Sequence, residues 1–128
     1  MKARENVMRL KRRDVDDKIR KVEDLERTIR EFEQMVVDLD RQIQAEEDRT
    51  GIRDPHHFSY STYAKSAAQR RDNMRNSAEG LREKLVAAQR DRDDASEQFV
   101  RLSAQAESRD DMHSSRRRSE RAASAVLR

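Results

Sequence analysis

The residues able to do chemistry are few and scattered. There are three His, and His56 and His57 sit side by side near Asp54, while His113 is far along the chain. A metal ion takes three or four convergent ligands, and one bend here offers at most three without Cys. The two His read as polar loop residues. The absence of Cys removes thiol nucleophiles, disulfides and thiolate-ligated metals. No Gly-rich phosphate loop, nucleophile–base constellation or HExxH occurs. The 26 carboxylates face water on exposed helices, where no site is dehydrated. The expectation is a protein that is not an enzyme and holds no metal or cofactor.

What remains is chemistry for binding other proteins. Ile52, Phe58, Tyr60 and Tyr63 gather around Pro55, the only Pro, and include three of the five aromatics. These residues plug the bend or stand out as anchors, a role Tyr and Phe often take at interfaces. Both roles can hold, with some rings packed inward. Arg4, Arg9, Lys11, Arg12 and Arg13, with Lys2 and against Glu5, give residues 1–13 a charge of +5. Residues 31–54 carry −5, and the stretch from Glu107 holds six Arg against four acids, with several Ser. The basic start suits an acidic protein surface. Nucleic acid is the disfavoured partner: Asp14, Asp16 and Asp17 follow at once, and a basic-region zipper needs a longer basic helix. The Arg/Ser tail reads as solvated chain.

The elements carrying these residues follow from composition and period. The chain has 128 residues, 43% charged and 34% hydrophobic, with two Gly and one Pro. That is one domain at most. Such sparse punctuation excludes a β-sandwich or α/β fold and leaves long helices or disorder. No stretch resembles a signal peptide, and the longest apolar run, Leu85 to Ala88, is far too short to span a bilayer.

Period decides between helix and disorder. Every seventh residue from Met8 (Val15, Val22, Ile29, Val36, Ile43) is apolar, and so is every seventh from Tyr60 (Ala67, Met74, Leu81, Ala88, Ala95, Leu102). The companion series are apolar only in part. They carry Lys11, Lys18 and Glu46 in one case and Arg71 and Arg92 in the other. Sustained heptads of this kind define a coiled coil.

The fold class expected is all-α, a long two-helix antiparallel coiled-coil hairpin. Helices are expected over about 5–49 and 62–108, joined by a connector at 50–61, with residues 109–128 frayed or disordered. Gly51 is placed to end the first helix in a left-handed conformation, and Ser61 or Thr62 to cap the second. Folding about residue 55 sets Ile43 against Ala67, Val36 against Met74, Ile29 against Leu81 and Val22 against Ala88. It also sets Lys18 against Arg92, with Asp14, Asp17, Asp91, Asp93 and Asp94 nearby to neutralise them. A register shifted by one heptad also aligns apolar layers. Gly80 marks either a close helix approach or a flexible point.

Certain segments carry a resemblance. Met1-Lys-Ala-Arg-Glu, Arg9-Leu-Lys-Arg12 and Val15-Asp-Asp-Lys18 resemble the start of the flagellar export protein FliJ family. The connector from Gly51 to Lys65, followed by Gln69-Arg-Arg-Asp-Asn73, is similar to the hairpin segment of one branch of it. The resemblance covers roughly residues 1–85. It implies a cytoplasmic component of the flagellar type III export apparatus, peripheral at the inner face of the cell membrane. Such a protein is a stalk-like coiled coil that engages the export ATPase ring, the export gate membrane protein and substrate chaperones. By that analogy Arg4, Arg9, Lys11, Arg12 and Arg13 face the ATPase, and the tip with Ile52, Phe58, Tyr60 and Tyr63, or its neighbouring helix surface, faces the gate. The alternatives are a homo-oligomeric coiled-coil scaffold and a basic helical nucleic-acid-binding protein.

Overall fold

The computed structural model describes residues 2–126. It consists of α1 (Lys2–Thr50) and α2 (Thr62–Val126), packed against each other, with no strand among the described residues. The all-α hairpin expected from the heptads is the observed fold.

The side chains withdrawn from solvent recur on the predicted spacing. On α1 they include Met8, Lys11, Val15, Lys18, Val22, Leu25, Ile29, Phe32, Val36, Leu39, Ile43 and Glu46. On α2 the alternation runs through Ala64, Ala67, Arg71, Met74, Ala78, Leu81, Leu85, Ala88, Arg92, Ala95, Phe99, Leu102 and Ala106. The two seams differ in size. The buried residues of α1 are Val22, Ile29, Leu39 and Ile43, whereas those of α2 are all Ala. Branched knobs from one helix therefore enter shallow holes on the other.

The chain divides into two compact units. One comprises Arg20–Gln89, the other Met1–Ile19 with Arg90–Arg128. In the first, Leu39, Ile43, Ala64 and Ala67 form the core cluster, with Tyr60, Ala68 and Met74 against it. Polar bridges fix its direction: Tyr63 Oη donates to Gln42 Oε1 at 3.0 Å, Arg71 Nη1 to Asp40 Oδ1 at 2.9 Å and Arg82 Nη2 to Glu33 Oε1 at 2.7 Å. Partner numbers rise on α2 as they fall on α1, so the helices are antiparallel. Arg71, an apparent fault in the seam, is held there by Asp40 and Asp72.

In the second unit, Ala95 is buried and Val15, Phe99 and Leu102 are half-buried. The two seam cations find carboxylates one turn or one residue away. Lys18 Nζ lies 3.6 Å from Asp14 and Arg92 Nε 3.1 Å from Asp93. Of the five acids expected to neutralise them, these two do so.

The helices exceed their expected limits. α1 starts at Lys2, and α2 runs through residues 109–126, which the sequence reading left frayed. The cause is local. No Gly or Pro follows Gly80, and residues 109–126 include five Arg and three Ala, which favour helix. The packing nevertheless ends where the apolar heptad ends, since every described residue from Glu107 onward is exposed. Residues 127 and 128 of the expected tail lie outside the described residues. At Gly80 an added Cβ would meet nothing within 4 Å, so no close helix approach requires it.

Candidate protein-interaction surfaces

The tip is built from two helix ends and two turns. Gly51 has φ 74°, and its N–H donates to the Glu47 carbonyl at 2.8 Å, closing α1 in the left-handed cap that Gly permits. Ser61 caps α2: its Oγ accepts from the Ala64 N–H at 3.2 Å. The same hydroxyl donates to Glu46 Oε1 at 2.9 Å, and Arg49 Nε donates to Glu46 Oε2 at 3.1 Å. Glu46, a polar member of its heptad series, thus ties the end of α1 to the start of α2. The Arg49 hydrogen bond, then that of Ser61, hold its carboxyl below the ordinary range.

Between the caps, Pro55 occupies the second position of a turn closed by His57 N–H to the Asp54 carbonyl at 3.1 Å. Asp54 Oδ1 accepts from the His56 N–H at 3.0 Å. A second turn follows, with Tyr60 N–H donating to the His57 carbonyl at 3.0 Å. His57 Nδ1 accepts from the Ser59 N–H at 3.0 Å and its ring stacks on Phe58 with centroids 4.7 Å apart. The His pair therefore shapes the loop. Among the described residues no group of three His, Asp or Glu is placed to hold a metal.

The four tip residues divide into two pairs. Ile52 and Tyr60 turn inward, Tyr60 packing on the core cluster. Burial, then the charge of Glu47, pushes the Tyr60 phenol up. Phe58 and Tyr63 face out, Phe58 at 94% exposure and Tyr63 at 57%. Phe58 meets the His57 ring and Tyr63 hydrogen-bonds Gln42, yet both rings keep most of their surface in solvent.

The five basic candidates near the start of α1 also divide. Arg4, Arg9, Arg12 and Arg13 are exposed, while Lys11 lies half-buried on the seam. Arg4 lines a groove of about 300 Å³ with Val7, Met8, Leu102, Ala106 and Arg109. It also lines an adjoining cleft of about 270 Å³ with Arg109, Met112, His113 and Arg116. Val7 and Met112 are not singled out by the sequence reasoning, and His113, Arg109 and Arg116 fall in the tail it reads as solvated chain. The signal was present. The count that gives Leu102 and Ala106 continues as Arg109, His113 and Arg116, so the α2 stripe persists and changes from apolar to basic.

No helix among the described residues is long and apolar enough to cross a membrane. Comparison with known proteins finds no matching family model, no similar curated protein and no similar solved structure.

Proposed function

We propose that this chain is a non-enzymatic component of the flagellar type III export apparatus, a stalk-like coiled coil that links the export ATPase, the export gate and substrate chaperones. The observation that carries the reading is the pairing of two outward surfaces of opposite chemistry on one helical hairpin. Phe58 and Tyr63 stand bare at the connector, and Arg4, Arg9, Arg12 and Arg13 stand bare along the first turns of α1. The resemblance of the start and connector to the FliJ family supplies the identity of the partners. In this reading the protein works at the cytoplasmic face of the membrane, held there through its partners. Its basic turns meet acidic loops of the ATPase ring, and its aromatic tip meets the gate.

The test is the charge-reversed variant Arg9→Glu/Arg12→Glu/Arg13→Glu. Three exposed reversals leave the seam untouched, so the fold persists. The expected result is loss of ATPase binding and of motility. A variant that binds the ATPase and supports motility as the parent does would overturn the reading.

A homo-oligomeric scaffold is the second reading. It is favoured by Leu10, Val86 and Val100, apolar residues that stand 56–64% exposed outside the seam. A stable oligomer in solution, lost when these three become Glu, is its signature.

A further inference from the structure

We infer that the end of the hairpin where Val7 and Met8 meet Leu102 is a docking groove for an acidic amphipathic helix of another protein. The inference shares Arg4 with the ATPase-facing turns of the proposed function and otherwise rests on the shape and charge of the second compact unit.

Three observations carry it. First, the floor is apolar: Val7, Met8, Leu102 and Ala106 line a groove of about 300 Å³. Val7 is 49% exposed although it sits beside the seam. Second, the walls are basic and uncompensated from within. Arg4 and Arg109 border the groove and continue into the cleft with His113 and Arg116, and among the described residues no carboxylate lines either hollow. Helical spacing turns Glu107, Asp110 and Asp111 to other faces of α2, and only Glu120 reaches the cluster, 3.9 Å from Arg116. Third, α2 remains helical through Val126, while every described residue from Glu107 onward is exposed. A helix laid on this face would continue the helix packing that ends at Ala106, against a stripe that turns from apolar to basic.

The occupant follows from the chemistry. An apolar floor gives phosphates nothing to contact, so a nucleic acid would use only the walls. A helix with apolar residues at i, i+3, i+4 and i+7 and acids on its flanks matches floor and walls together. A second copy of this chain does not. Its acidic stretch at 31–54 already spends its apolar face on its own seam, with Leu39 and Ile43 buried. Self-pairing of the exposed end of α2, in parallel or antiparallel about Arg117, would set Arg116, Arg117 and Arg118 against their own counterparts.

The experiment uses the full chain and three fluorescent probes. The first is a synthetic peptide of about four heptads with Leu at a and d and Glu at e and g. The second is a scramble of the same composition, and the third a short DNA duplex. The first probe is expected to bind about tenfold or more tighter than the scramble, and DNA only at low salt. Arg109→Glu/Arg116→Glu and, separately, Met112→Glu are each expected to weaken the first probe about tenfold. All these positions are exposed, and unchanged circular dichroism confirms each fold. Equal binding of peptide and scramble would overturn the inference. So would binding indifferent to both variants, or a dimer in solution dissolved by Met112→Glu.

Discussion

Glu46 shows how a single residue can serve both helix ends. It accepts from Ser61, which caps α2, and from Arg49 in the last turn of α1. Those hydrogen bonds favour the ionised form, so its carboxyl titrates below its ordinary value of 4.5. A group whose value is lowered on folding stabilises the fold above its unfolded value, and that help is lost as pH falls through the folded value. The tip is therefore expected to loosen on acidification below about pH 4.5. Hydrogen exchange of the Ala64 and Lys65 amides should rise there, and Glu46→Gln should remove most of that pH dependence. Gly80 gives a second prediction. An added Cβ meets open space and the backbone is helical, so Gly80→Ala should stabilise by about 0.5–1 kcal/mol, read as a higher Tm. At Gly51, with φ 74°, the same change should instead destabilise by about 1 kcal/mol.

At the scale of the helices, the asymmetry of the seam decides where the fold is vulnerable. Ile43 lies at 7% exposure among Leu39, Ala64 and Ala67. Alanine is already the facing residue, so Ile43→Ala leaves nothing large enough to fill the void. A loss of about 2–4 kcal/mol is expected, measured by urea denaturation. The layer of Lys18 and Arg92 works the other way. Each side chain is about one-third exposed and carries its own carboxylate, Asp14 and Asp93. Replacing both with Leu should raise Tm, since partly buried ions gain little over packed apolar side chains.

These elements also show how much the sequence reveals. The heptad spacing marks every buried residue, because a two-helix packing has only one stripe to bury. Gly51 and Ser61 were legible as caps for the same local reasons that make them caps. The inward turn of Tyr60 and outward turn of Phe58 were not, since two overlapping turns set those directions. The length of α2 was missed because burial and helicity part company after Ala106. Residues 107–126 are helical by propensity while none of them is buried.

For the whole molecule, the hairpin fold carries two proposed binding surfaces, whose partners are those the resemblance implies. A monomer is expected, running in solution at 15.1 kDa by light scattering. The most direct test is capture of partners from lysate of a flagellated bacterium on the immobilised full chain. It is run beside Phe58→Ala/Tyr63→Ala and beside Arg9→Glu/Arg12→Glu/Arg13→Glu. Tyr60 is left intact because it packs on the core. The account predicts that the parent chain retains the export ATPase and the gate protein, that the tip variant loses the gate alone, and that the charge-reversed variant loses the ATPase alone. Recovery of neither partner by the parent chain, or of both by both variants, would contradict it.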